Sequence, residues 1–238
     1  MFDNILIIGC GLIGSSILKS SIKKNISKNI YVFEKLYKNR VIIRKIDKKI
    51  KFIPSLNRDL EKMNFIVVCT PMSEYKFVFS KLDKFISEKS IITEVGSTKK
   101  NLLKFTKNKN LILSHPIAGS EVSGPKFGNR ELFNNKWCIL INKGSKKKIN
   151  LVKKFWKKIG SKVVLMNADE HDKIFAITSH LPHLIAYNLI KTAQDFQKTQ
   201  KRNLIKYSAG GLRDFSRIAA SNEIMWRDIF FSNKKNMI

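Results

Sequence analysis

Six residues near the start constrain the fold more than any other feature of the chain. Gly9-Cys10-Gly11-Leu12-Ile13-Gly14 follows directly on the apolar run Ile5–Ile8 and opens a helical stretch reaching about Lys24. Strand, glycine turn and helix in that order form a βα unit whose turn can cradle a phosphate group. Gly9 permits the tight turn, Gly11 lets the backbone approach a pyrophosphate, and Gly14 lets helix and strand pack closely. The helix start at Leu12 and Ile13 offers unpaired N–H groups and the positive end of the helix dipole. A carboxylate is expected about 20 residues further on, where it binds the ribose hydroxyls of an adenine dinucleotide. Glu34 stands there, after Tyr31-Val32-Phe33. It favours NAD over NADP, whose 2′-phosphate it would repel. Lys35, Lys38 and Arg40 just beyond offset part of that repulsion.

Further strand-like runs follow at Ile30–Phe33, Phe65–Cys69, Ile91–Val95, Leu111–Leu113, Cys138–Ile141 and Lys162–Met166. Strands separated by helical segments predict an α/β fold with a mostly parallel sheet. Thr70-Pro71, closing the third run, is expected in the crevice at the carboxyl ends of the strands, where such sheets bind ligands. After Asn167 the pattern changes. Ile174, Ile177, Leu181, Leu184 and Ile185 carry helical spacing, and no strand-like run is evident. The expected division is a dinucleotide-binding domain over 1–167 and a helical domain over 168–238. The second part is short for an independent core and is expected to pack on the first or on a second subunit.

Composition narrows the class. The chain has 238 residues and a formal net charge of +28, mostly from lysine. Lysine, isoleucine and asparagine share A/T-rich codons, so genome composition is a sufficient cause of the charge. There is no zinc-finger spacing and no RNA-binding aromatic signature, so no specific nucleic-acid partner is expected. A positive field still gathers anionic ligands. Three widely spaced cysteines argue against a disulfide framework and for a reducing cytoplasm. No apolar run is long enough to span a bilayer, and no membrane association is expected.

Four segments go beyond a generic dinucleotide fold: Glu94-Val95-Gly96-Ser97-Thr98-Lys99, Ser114-His115-Pro116-Ile117-Ala118-Gly119-Ser120-Glu121, Ser179-His180-Leu181-Pro182-His183, and Gly210-Gly211-Leu212-Arg213-Asp214-Phe215-Ser216-Arg217 running on to Met225-Trp226-Arg227-Asp228. On these residues and the glycine motif, the sequence resembles the prephenate/arogenate dehydrogenase family of tyrosine biosynthesis, from Ile5 to about Phe230. The resemblance implies a Rossmann-type domain followed by a helical domain, NAD as cofactor and a homodimer, and it assigns substrate binding and dimerisation to the helical domain over 168–238. It implies oxidative decarboxylation: hydride leaves ring C4 while a base takes the hydroxyl proton, and the ring carboxylate departs as carbon dioxide.

His115 suits the base on chemical grounds, because an unperturbed imidazole titrates near neutrality. The family match implies that role, and implies that Ser97 orients His115 and the nicotinamide. It makes Arg217 the grip on a substrate carboxylate, for which a planar guanidinium is better shaped than an ammonium. His183, His180, Ser120, Glu121 and Trp226 are implied at the substrate, with Glu121 and Asp214 in an ionic network at the entrance. His180 and His183 could also be read as a zinc pair, but no third ligand stands at a suitable spacing, and no metal is expected. The substrate is prephenate or arogenate, with prephenate favoured by His183. A 3-hydroxyacid dehydrogenase and a non-catalytic NAD-binding protein are the rival readings. Family members usually run on through further helices, so either those helices are shortened here or the chain continues.

Overall fold

The computed structural model describes residues 1–106, 108–201 and 204–237. Its first part runs β1 (Phe2–Ile8), α1 (Leu12–Lys23), β2 (Ser27–Phe33), α2 (Tyr37–Arg44), β3 (Lys51–Phe52), β4 (Phe65–Val68), α3 (Tyr75–Phe85), β5 (Ile91–Glu94), β6 (Leu111–Pro116), β7 (Trp137–Ile141), α4 (Lys146–Lys158) and β8 (Lys162–Met166). The eight strands form one sheet in the order β3-β2-β1-β4-β5-β6-β7-β8. The pairings from β3 to β6 are all parallel. β7 runs antiparallel to β6, and β8 parallel to β7.

Side chains alternate across a strand, so a parallel sheet covered on both faces needs apolar residues at every position. The central strands meet that demand. Ile5 and Ile7 join Phe65, Val67, Phe155 and Trp156 on one face. Leu6 and Ile8 join Ile66, Val68, Phe79 and Leu82 on the other. Fully burying one such side chain stabilises the fold by roughly 1.5–3 kcal/mol. Connections leave β1 and β4 in opposite directions along the sheet, which opens a crevice at their carboxyl ends.

After Asn167 the chain is helical: α5 (Ala168–Phe175), one π turn (Ala176–His180), α6 (Leu181–Gln200), α7 (Gly210–Ala219) and α8 (Glu223–Ser232). Asn167 caps α5, its side chain accepting from the Glu170 N–H at 2.8 Å. Asn222 caps α8 in the same way from the Met225 N–H. Pro182 has no N–H to give to the preceding turn, and the widened π turn ends two residues before it. α6 and α7 pack together, with the Tyr187 hydroxyl donating to the Ser221 carbonyl. α8 is tied to the sheet's crevice loops. Thr98 and Ser232 share a hydroxyl hydrogen bond of 2.6 Å, and the Ser73 N–H donates to Asp228.

The structure extends one strand and sets the direction of another. β6 runs beyond Leu113 to Pro116, because Ser114, His115 and Pro116 pair with Leu140, Ile139 and Cys138 of β7. His115 therefore sits within the strand. β7 reverses direction, which the apolar run Cys138–Ile141 does not reveal.

Candidate active site

The glycine turn after β1 has the geometry its spacing predicts. Gly9 has φ +84°, and a Cβ there would lie 2.9 Å from the Thr70 side chain. A Cβ on Gly14 would lie 2.1 Å from the Gly9 carbonyl oxygen, so helix and strand approach too closely for any side chain. Gly11 differs: its Cβ would meet nothing within 4 Å. The protein's own packing does not require that glycine, and the space above it stays open to a ligand.

No side chain caps the start of α1 at Leu12 and Ile13, and its first turn holds no acid. The Ser15 and Ser16 hydroxyls donate back to the Gly11 and Leu12 carbonyls, leaving the N-terminal N–H groups unclaimed by them. At the facing end of β4, before Pro71, Thr70 Oγ1 is buried with no partner among the described residues. Glu34 is held at the rim. Its two carboxylate oxygens accept from the Cys10 N–H at 2.9 Å and the Leu36 N–H at 3.0 Å. Lys35 is already paired with Glu74. An open glycine, an uncapped helix start, an orphaned hydroxyl and an anchored acid fit a dinucleotide.

The chain has four histidines, and the fold gathers all of them beside this crevice. His115, half-buried on β6, places Nδ1 2.9 Å from Nε2 of the buried His171 on α5. His171 Nδ1 lies 2.8 Å from Asp172 Oδ1. Burial pushes the His115 pKa well below its ordinary value, and nearby His171, Lys99 and His180 push the same way. His115 is thus a neutral imidazole at neutral pH. His171 is also lowered, because burial outweighs the pull of Asp172.

His180 is buried in the π turn. Asn233 donates one amide hydrogen to its Nδ1 at 3.0 Å and the other to the Asp172 carbonyl at 2.7 Å. The His180 proton therefore sits on Nε2, which is buried without a partner among the described residues. Burial lowers the His180 pKa to about 4. One turn on, His183 donates from Nδ1 to the Ser179 carbonyl and stacks on Trp226 at 3.6 Å between ring centroids. Burial lowers its pKa as well. Trp226 is itself buried, and its Nε1 has no partner among the described residues.

Arg217 on α7 meets Glu121, from the loop after β6, at 2.9 Å. The Arg217 side chain is 61% exposed, which leaves its guanidinium accessible to an anion. Asp214 is exposed and joins no ion pair among the described residues, so the expected entrance network reduces to one pair. Ser120 is exposed beside Glu121. No hydrogen bond joins Ser97 to His115 among the described residues, and the ring hydrogen bond of His115 is made with His171.

Sequence reasoning missed two pairs. One is His171 with Asp172. The available signal was the histidine count, since three of only four histidines were already assigned to the site. The other is Lys99 with Glu94, an ion pair whose side chains are fully buried. Lys99 also donates to the Ser114 carbonyl, next to His115. Glu94 accepts in addition from the Tyr75 hydroxyl and the Gly96 and Ser114 N–H groups. Among the described residues, no three His, Cys, Asp or Glu side chains cluster to hold a metal. Among them, too, no helix is long and apolar enough to cross a membrane.

Comparison with known proteins decides the lineage. The family model for the prephenate dehydrogenase nucleotide-binding domain matches residues 21–165, and that for its dimerization domain matches 167–238. The chain belongs to the prephenate dehydrogenase family. Cyclohexadienyl dehydrogenase of Zymomonas mobilis is 32% identical over 98% of this chain and 82% of its own length. Prephenate dehydrogenase of Bacillus subtilis is 30% identical over all of this chain and 66% of its own length. The chain thus spans a little under two thirds of that relative. Among solved structures, prephenate dehydrogenase from Aquifex aeolicus, in complex with hydroxyphenyl propionate and NAD+, superposes with a TM-score of 0.90. It is 33% identical over 99% of this chain and 84% of that one.

Proposed function

We propose that this chain oxidises prephenate with NAD, giving 4-hydroxyphenylpyruvate and carbon dioxide in tyrosine biosynthesis. The observation that carries the reading is His115: a neutral imidazole at the crevice whose Nδ1 is committed to His171 and whose Nε2 is left for a substrate. Family membership and the relatives' names supply the substrate class. The glycine cradle and Glu34 favour NAD, which when bound supplies the hydride acceptor.

The chain's own residues do the rest. His115 Nε2 takes the proton of the ring C4 hydroxyl as hydride leaves that carbon. The new ketone draws the electron pair of the C1–carboxylate bond into the ring, and carbon dioxide departs. The ring becomes aromatic, and His115 returns its proton to the phenol oxygen. Arg217 grips a substrate carboxylate, with Glu121 holding the guanidinium in place. His183 and Trp226 form a stacked wall, His180 offers its Nε2–H, and Ser120 and Ser97 complete the lining. Residues 1–167 serve the cofactor, and 168–238 serve the substrate and the contact between two copies. The exposed apolar face of α6, with Leu181, Ile185 and Leu189 at four-residue spacing, supports a homodimer. The cytoplasm supplies the reduced, NAD-containing setting.

NADH formation with prephenate and with arogenate, each at saturating NAD, tests this reading. Prephenate is expected to be turned over faster. His115→Asn is expected to lower kcat by about 10²–10⁴-fold while NAD affinity stays within a factor of two, since it removes only the base. Folded, NAD-binding wild-type protein that makes no NADH from prephenate would refute the reading.

A further inference from the structure

Two side chains behind His115 take no part in the reaction as described above. Asp172 Oδ1 accepts from His171 Nδ1 at 2.8 Å and from the Lys99 N–H at 2.8 Å. Its Oδ2 accepts from the Lys100 N–H at 2.9 Å. Backbone N–H groups can only donate, so this carboxyl is surrounded by donors and is held ionised. Burial pushes its pKa up, but the bonds from His171, Lys100 and Lys99 outweigh burial and leave it below the ordinary value. The proton positions then follow in sequence. Ionised Asp172 accepts Nδ1–H of His171. Neutral His171 has its lone pair on Nε2 and accepts Nδ1–H of His115. The lone pair of His115 is left on Nε2.

We propose that His171 and Asp172 are positioning residues that fix His115 in the Nδ1–H tautomer and stabilise its imidazolium while it holds the substrate's proton. The proposal rests on the dehydrogenase reading above. The relay balances without another reactant. His115 Nε2 gains the hydroxyl proton, and the positive charge is shared through Nδ1–H towards His171 and Asp172. When the C1–carboxylate bond breaks, the proton returns to the phenol oxygen and each ring recovers its starting tautomer. The same arrangement of a base, an orienting group and a buried carboxylate operates in hydrolases that use a histidine base.

The surroundings of His115 disfavour its charged form. Burial, His171 when protonated, Lys99 and His180 all oppose a positive charge on His115, so His171 can help only as the neutral acceptor, and Glu94 is tied up by Lys99 and the Tyr75 hydroxyl. The buried Cys138 on β7 is held as a neutral thiol. Asp172 is joined to the His115 ring through His171.

His171→Leu and His171→Gln test the proposal. In protein labelled with ¹⁵N-histidine, wild-type His115 is expected as the Nδ1–H tautomer. His171→Leu is expected to shift His115 towards the Nε2–H form, and His171→Gln, whose amide oxygen can accept, to retain Nδ1–H. With prephenate, His171→Leu is expected to lower kcat by up to about 10⁴-fold with KM within threefold, by analogy with loss of the orienting group in such relays. His171→Gln should recover at least a tenfold part of that loss. Unchanged NAD affinity in both variants establishes that they fold. Wild-type His115 in the Nε2–H tautomer overturns the proposal whether or not the protein turns over prephenate, and so does a wild-type kcat in His171→Leu. If the protein leaves prephenate unchanged but His115 shows the predicted tautomers, the relay stands and the substrate reading falls.

Discussion

Every residue of β4 and β5 is buried, whereas the 20-residue α6 buries Ala186 alone. The two regions obey the same physics with different partners. In the sheet, each strand finds its neighbours within the chain, and helices cover both faces. In the helical segment, α7 buries none of its residues, and Leu181, Ile185, Leu189 and Phe196 of α6 remain exposed. A helix with such a face gains most of its stability from whatever covers it. The residues of the proposed site come from both sides of this divide. His115 stands on a strand of the rigid sheet, and His171, His180, His183 and Arg217 stand on the helical segment. In the proposed reading the sheet carries the base and the helical segment carries the substrate contacts.

The largest stability effect is expected inside the sheet. Glu94→Gln leaves the fully buried Lys99 ammonium without its counter-ion. Breaking such a pair typically costs about 3–5 kcal/mol, even where the intact pair adds little. Urea unfolding should show the midpoint falling accordingly. A change under 1 kcal/mol would mean that water reaches Lys99.

The next effect belongs to the junction of the two regions and depends on pH. His180 is neutral in the fold with a pKa of about 4, against an ordinary value of 6.5 in the unfolded chain. Above ~6.5 neither state binds the proton, and His180 has no influence on stability. As pH falls from there towards 4, the unfolded chain takes up the proton and the fold does not, so stability decreases with falling pH. The loss is on the order of 3 kcal/mol at the acid end. His180→Gln should remove most of it, and parallel pH–stability curves for the two proteins would sink the assignment.

The smallest effect is expected on α6. Phe196→Ser on its exposed face should change unfolding of the sheet by less than about 0.5 kcal/mol, as surface substitutions do. The same change should shift light-scattering mass from dimer towards monomer. If sheet stability fell by several kcal/mol instead, the two regions would be one cooperative unit closed by the dimer.

What could be read from the sequence follows the same divide. Ile5–Ile8, Gly9, Gly14 and Glu34 are legible because each requirement is local: a buried strand, a positive φ, a close approach, an acid at a strand end. The direction of β7 left no local trace, because an apolar run reads alike both ways. β3 is two residues long and below any periodicity. The His115–His171 contact joins residues 56 apart in sequence. The Lys99–Glu94 pair reads as two ordinary surface charges until the fold buries them. The resemblance pointed to His115 as base and Ser97 as its orienting group. The structure places the His115 ring in a hydrogen bond with His171, a contact that appears only when the fold gathers the four histidines.

The most direct test of the account is the ratio of carbon dioxide to NADH released from prephenate labelled in the ring carboxylate. The base at Nε2 of His115 and the loss of the C1 carboxylate belong to one reaction, so the account predicts one carbon dioxide for each NADH. NADH formed without carbon dioxide, or carbon dioxide released without NADH, would contradict it.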